Sequence, residues 1–211
     1  MKNMTIWNIA RACKGHLAVP AGKHTGTCPA AGMAVIRGYS GKEAAGIVID
    51  SRKVEPGDIF VAIRGERVDG HQFIREVFNK GAIAVVCEEE PEELPGPCIR
   101  VEDSLAALRQ IAAFYREQMP IPIVGITGSV GKTSTKEFVA SVLAQKYKTH
   151  KTQGNFNNEI GVPLTLLAMP EDTEAAVVEM GINHFGEMHR LSEMVKPDIC
   201  VMTNIGQCHL E

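Results

Sequence analysis

GITGSVGKTST, Gly125 to Thr135, is the stretch on which the reading of this chain turns. It contains the Gly-Lys-Thr of a phosphate-binding loop, yet departs from the usual G-x-x-x-x-G-K-[ST] spacing. The place of the first glycine is taken by Ile126, and the glycines fall at 125, 128 and 131. Upstream, prolines 120 and 122 break any preceding helix and lead into the apolar strand IVGIT. Downstream, KTSTKEFVASVLAQKY has a helical period, with Phe138, Val139, Val142 and Leu143 expected to face a core. Strand, glycine-rich turn and helix is the context a phosphate loop requires, because turn and helix N-terminus present N–H dipoles to anionic oxygens.

On that reading Gly128, Ser129, Val130, Gly131, Lys132, Thr133 and Ser134 form a nucleotide cradle. Gly128 and Gly131 permit close backbone approach, Lys132 neutralises β/γ-phosphate charge, and the Thr133 hydroxyl binds the accompanying magnesium. Taken alone, Gly-Lys-Thr is equally compatible with a tight turn and a solvated lysine.

Working outward, strands and helices alternate, which argues for an α/β chain. A short amphipathic helix is expected from Ile6 to Cys13, ended by Gly15, and residues 15–46 read as a loop-rich segment. GIVIDSR (46–52), EPGDIFVAIRG (55–65), IAVVCE (83–88) and CIRVED (98–103) read as strands. DGHQFIREVFNKGA (69–82) and DSLAALRQIAAFYREQ (103–118) read as helices, with Asp69 a cap for the first. Beyond the loop, GVPLTLLAM (161–169) and GEMHRLSEMV (186–195) read as helices, and EAAVVEMG (174–181) and DICVMTNIG (198–206) as two buried strands. The proline break divides the chain into residues 1–118 and 119–211.

Composition narrows the function classes. The 211 residues are 45% hydrophobic and 22% charged with a net charge of −3, an ordinary globular balance without the basic excess of a nucleic-acid binder. Aromatics are 5%, too few for base-stacking platforms. No apolar run is long enough to span a membrane, and the N-terminus lacks a signal-peptide pattern. Six scattered cysteines without a C-x-x-C pair read as reduced thiols in a cytoplasmic protein, and no histidine or cysteine spacing suggests zinc.

GITGSVGKTST resembles the TGxxGKT[ST] loop of the Mur ligase family, whose spacing differs from the strict pattern in the same way. DSRKVEPGDIFVAIRGERVDGHQFI resembles the family's N-terminal domain, and GNFNNEIGVPLTLL and EMGINHFGEMHRLSEMVKPDICVMTNIGQCHLE its central domain. The fold implied is a small mixed α/β domain for a UDP-linked substrate, followed by the first part of a P-loop-type ATP-binding domain with a mostly parallel sheet. Within the family, EMGxNHxGE leading to TNIGxxHLE resembles the ligases that join D-alanyl-D-alanine to UDP-N-acetylmuramoyl-tripeptide. That resemblance implies ATP and Mg2+ as cofactors, a cytoplasmic monomer in its full-length form, and an acyl phosphate intermediate.

The resemblance also assigns residues. Glu179, at a strand end, and His209 match magnesium contacts, joining Lys132 as catalytic groups and Thr133 as a metal ligand. Ser51, Arg52, Asp69, Gly70 and His71 match the UDP-substrate corner. Asn155 and Asn158 match the passage between substrate and phosphates, and Asn183 and His184 the GxNHxGE segment. Without the family match, Glu179 is a strand-end glutamate, His209 a surface or structural histidine, and the asparagines turn chemistry. The family's central domain continues past this motif with a carbamylated lysine and adenine contacts, and a third domain follows that binds the amine. The chain is therefore expected to be an N-terminal portion that does not ligate alone. Other readings are a P-loop kinase or NTPase, or a non-catalytic nucleotide- or UDP-sugar-binding module.

Overall fold

The computed structural model describes residues 1–20, 41–65, 68–182 and 184–206. It divides into two compact units, Met1–Ile111 and Ala112–Glu211. The division lies inside a helix, ahead of the prolines at 120 and 122 that suggested a boundary from sequence.

The first unit is built on a five-stranded sheet. Its strands are β1 (His16–Ala18), β2 (Ile47–Val48), β3 (Ile59–Val61), β4 (Ala84–Cys87) and β5 (Cys98–Arg100), in the order β1-β5-β4-β3-β2. Strands β2 to β5 run parallel, and β1 pairs antiparallel with β5. Every residue of β3 and β4 is buried, as expected of parallel strands covered on both faces. Phe60, Val85 and Cys98 share one core with Ile74 and Val77 from helix α2 (Ile74–Asn79). Helix α1 (Ile6–Ala12) is capped by Thr5, whose side chain accepts from the Asn8 N–H. Cys13, Cys87 and Cys98 are buried free thiols.

Several sequence-based boundaries shift. The strand expected over 46–52 is only Ile47–Val48, because Asp50 caps a 3₁₀ turn at Ser51–Lys53. The helix expected from 69 opens as a 3₁₀ turn, Gly70–Phe73, capped by Asp69. Strand β1 lies in the stretch read as loop; residues 21–40 of that stretch are outside the described residues.

The second unit takes in the last turns of α3 (Ser104–Glu117), where Tyr115 donates to the Met169 carbonyl at 2.7 Å. Its sheet is fully parallel, in the order β7-β8-β6-β9, with β6 (Ile123–Thr127), β7 (Thr149–Lys151), β8 (Ala175–Glu179) and β9 (Ile199–Met202). Helix α4 (Lys132–Leu143) follows β6, α5 (Gly161–Leu167) precedes β8, and α6 (Glu187–Val195) precedes β9. After α4 the chain crosses to β7 at the edge, returns through α5 to β8 beside β6, and then through α6 places β9 on the other side of β6. That reversal makes the C-terminal end of β6 a topological switch point, where open α/β sheets form their ligand crevices.

Two expectations fail here. Phe138 and Val142 are 73% and 71% exposed, because α4 turns Val139 and Ala140 toward the sheet instead. Strand β9 is an edge strand with largely exposed side chains, not a buried one. Strand β7, missed in sequence, is three residues long and polar in all of them.

Candidate nucleotide and metal site

Gly128 to Gly131 connect β6 to α4, and both glycines have positive φ, +130° and +83°. At 128 the requirement is also steric, since a Cβ there would lie 2.2 Å from Thr203 Oγ1 and 2.9 Å from the Asn204 carbonyl oxygen. Gly131 is the N-cap of α4, and no side chain caps that helix. Among the described residues the N–H groups of Lys132, Thr133 and Ser134 therefore meet no capping side chain, an arrangement that favours an anion. The Lys132 ammonium folds over the loop, donating to the carbonyls of Gly128 (2.7 Å) and Ser129 (3.3 Å).

The neighbouring strand brings the carboxylate. Register pairs Ile126 with Glu179, so the last residue of β8 stands beside the loop. Glu179 is 1% exposed. Its Oε1 accepts from Thr133 Oγ1 (3.2 Å) and Asn157 Nδ2 (2.8 Å), and its backbone N–H donates to Thr152 Oγ1 (2.9 Å). Its Oε2 is buried with no hydrogen-bond partner. The nearest cation is Lys136, also 1% exposed, whose Nζ lies 3.6 Å from Oε2 and 3.3 Å from Glu137 Oε1, and donates to the Gly154 carbonyl at 3.2 Å. Lys151 also pairs with Glu137 and is the main reason that carboxyl is held below its ordinary range.

This donor set fits a magnesium ion. Mg2+ takes hard oxygen ligands and keeps several waters, so one hydroxyl and one carboxylate are enough protein. Thr133 Oγ1 and Glu179 supply them, and the unpartnered Oε2 is a buried acceptor lacking a donor. No group of three or more metal-ligating side chains exists among the described residues.

The other sequence-predicted residues are placed as follows. Asn158 is engaged locally: its Oδ1 accepts from the N–H groups of Ile160 and Gly161 at the start of α5. Asn157, not singled out in sequence, is the asparagine that reaches Glu179. Lys136 and Thr152 were missed for the same reason: nothing in spacing reveals that a lysine or threonine packs against a carboxylate. Asn155 is exposed. His184 Nδ1 lies 3.0 Å from Glu187 Oε1, and its N–H donates to Oε2, a closed pair at the start of α6. Asn183 and His209 lie outside the described residues.

In the first unit, Arg52 is exposed and held bidentate by Asp50, through Nε (2.9 Å) and Nη2 (2.8 Å). The side-chain bonds from Arg52 bring the Asp50 carboxyl down to about 2. Ser51 is buried, and its carbonyl accepts from Lys80 Nζ. His71 receives the Glu88 N–H on Nε2 at 2.9 Å, so its proton is on Nδ1, donated to Asp69 Oδ1 at 2.6 Å. Gly70 sits where a Cβ would meet the Ile63 backbone at 2.9 Å. The structure thus gathers Lys132, Thr133 and Glu179 around one loop in the second unit, and Asp69, Gly70 and His71 around one turn in the first.

A model of the Mur ligase family catalytic domain matches residues 43–116, and one of the Mur ligase middle domain matches residues 126–211. The UDP-N-acetylmuramoyl-tripeptide--D-alanyl-D-alanine ligase of Bacillus subtilis is 42% identical over 216 residues, covering 100% of this chain and 43% of that protein. The Synechocystis ligase of the same name is 47% identical over 166 residues, covering 78% and 37%. Among solved structures, MurF from Acinetobacter baumannii superposes with a TM-score of 0.80 at 34% identity, covering 98% of this chain and 41% of that one. MurF from Thermotoga maritima in complex with ADP gives 0.73 at 38% identity, covering 78% and 38%. The chain spans about two fifths of the length of the curated relatives it matches. With the glycine-lysine-threonine loop beside a buried strand-end glutamate, and these matches over both units, the chain belongs to the Mur ligase family.

Proposed function

We propose that this chain carries the nucleotide-binding and phosphate-activating part of an ATP-dependent amide ligase, one that joins D-alanyl-D-alanine to UDP-N-acetylmuramoyl-tripeptide. The observation that carries the reading is the meeting of Thr133 and Glu179, with its unpartnered Oε2, beside the phosphate loop. The names of the relatives support the substrates, and the ADP complex of one structural relative supports the nucleotide.

A carboxylate resists attack by an amine because its carbonyl carries delocalised negative charge. Transfer of the γ-phosphoryl group to a carboxylate oxygen removes that charge and leaves ADP. The amine nitrogen then bonds the carbonyl carbon, the C–O bond to phosphate breaks, and the nitrogen gives up a proton. The first step brings two anions together, so this chain's work there is electrostatic. The Lys132 ammonium leaves the loop carbonyls and meets the phosphates. The N–H groups at the start of α4 hold phosphate oxygens, and Thr133 and Glu179 would hold a magnesium ion, which would supply charge neutralisation at the phosphates. The Ser51–Arg52 and Asp69–His71 turns of the first unit are assigned to the UDP-linked substrate.

Calorimetric titration of the chain with Mg·ADP tests this reading. Binding is expected, and Lys132→Ala is expected to weaken it about 10- to 100-fold through loss of a charge-assisted contact, with affinity for the UDP-tripeptide unchanged. Absence of Mg·ADP binding, or an unaffected Lys132→Ala, overturns it.

A further inference from the structure

The phosphate loop is held from behind by a segment that the chemistry above does not use. Asn204 Oδ1 accepts from two successive loop N–H groups, Ser129 (3.1 Å) and Val130 (3.0 Å). The Ser129 N–H also lies 3.2 Å from the Asn204 carbonyl oxygen. Thr203 Oγ1 donates to the Val130 carbonyl at 2.6 Å, and Ser129 Oγ exchanges bonds with Gly206, donating to its oxygen at 2.8 Å and accepting from its N–H at 2.9 Å. Segment 203–206 follows β9, and β9 pairs with β6, so the same register that aligns the strands delivers Asn204 to the loop.

We propose that Asn204 is a positioning residue for nucleotide binding, one that fixes the first half of the phosphate loop so that the second half is ready for phosphate. A loop of Gly-Ser-Val-Gly with two positive-φ glycines is loose by itself, and ordering it at the moment of binding would cost affinity. Asn204 orders it beforehand by occupying the Ser129 and Val130 donors. Those of Lys132, Thr133 and Ser134 are left to the ligand. The side chain suits the task because a carboxamide oxygen accepts two N–H groups without a charge. An aspartate would accept as well but would set a negative charge beside a site for anionic phosphates. Gly128 belongs to the same device, since any side chain there would push Thr203 and Asn204 away.

The inference rests on the nucleotide reading, and the test separates the two. Mg·ADP affinity of the full chain is measured by calorimetry, and amide hydrogen exchange at Ser129 and Val130 by NMR, for the parent, Asn204→Ala and Asn204→Asp. Loss of two neutral hydrogen bonds is expected to weaken Mg·ADP binding about 10- to 30-fold in Asn204→Ala, with faster exchange above all at Val130, since the Ser129 N–H keeps the backbone carbonyl of residue 204. Asn204→Asp is expected to keep slow exchange, to bind weakly at low salt, and to recover at high salt, where its added charge is screened. A purely structural role would not give that salt-dependent split. Should the alanine variant not fold, the aspartate variant decides alone, and fast exchange or salt-independent affinity in it overturns the inference. Asn204→Ala binding Mg·ADP as tightly as the parent, or tighter, also overturns it. A parent that fails to bind Mg·ADP overturns the nucleotide reading, and this inference with it.

Discussion

Gly128 joins two constraints at one residue, a backbone at φ +130° and a Thr203 hydroxyl where a Cβ would go. Gly128→Ala therefore strains the backbone and displaces the 203–206 segment together. It is expected to destabilise the chain by about 1–3 kcal/mol and to abolish measurable Mg·ADP binding. Thermal melts and calorimetry check both, and a variant with parental affinity would remove the close approach from the account. At this scale the sequence was partly legible. Residues inside the loop motif, Lys132 and Thr133 among them, stand out by their place between strand and helix, and Glu179 stands out only through the family resemblance. Asn157, Lys136 and Asn204 do not, because their partners lie 22, 43 and 75 positions away and only tertiary structure brings them together.

Among the elements, β7 shows how burial of one ring couples a strand to pH. His150 lies with Nε2 2.9 Å from the Thr165 carbonyl on α5, and burial pushes its imidazole below the ordinary value. The folded state thus holds its proton less well than the unfolded chain, whose imidazole titrates near about pH 6.5. Its contribution is fully present above that value and is lost as pH falls toward the folded value. Melting temperature is expected to drop between about pH 6.5 and 5, and to drop less in His150→Gln, whose amide also donates but does not titrate. Equal slopes for parent and variant would exclude His150. Lys148-bound Asp172 and Lys151-bound Glu137, both held low, act only at more acid pH. Elements with a strong helical period or an unbroken apolar run, such as α3 and β8, were legible in the sequence. Helix α4 was legible as a helix but not in its orientation. Its apolar residues at 138, 139, 142 and 143 suggest one face, while burial selects Lys136, Val139, Ala140 and Leu143, a face with a charge in it.

In the molecule as a whole, two compact units each carry their own sheet. A ligand that binds one folded unit stabilises that unit, by about 2.7 kcal/mol at a hundred times its dissociation constant. Saturating Mg·ADP is therefore expected to slow hydrogen exchange in β6, β8 and α4, leaving β3 and β4 near their unliganded rates. Equal slowing in both sheets would mean that the units open as one cooperative body. Prolines 120 and 122 suggested a boundary in the sequence, and the chain divides into its two compact units ahead of them. The division within α3 was not visible there, because Tyr115 and Arg116 make bonds to Met169, Val195 and Lys196, far along the chain.

The Lys136–Glu179 pair also has a bearing on descent. Both side chains are sealed from water; removing Glu179 leaves Lys136 with Glu137, whereas removing Lys136 strands a buried carboxylate oxygen with no cation beside it, a large loss. Position 136 therefore cannot lose its charge while position 179 keeps its own. A lineage that keeps the acid at 179 inherits the base as well, and position 136 is bound by a demand that arises on a strand.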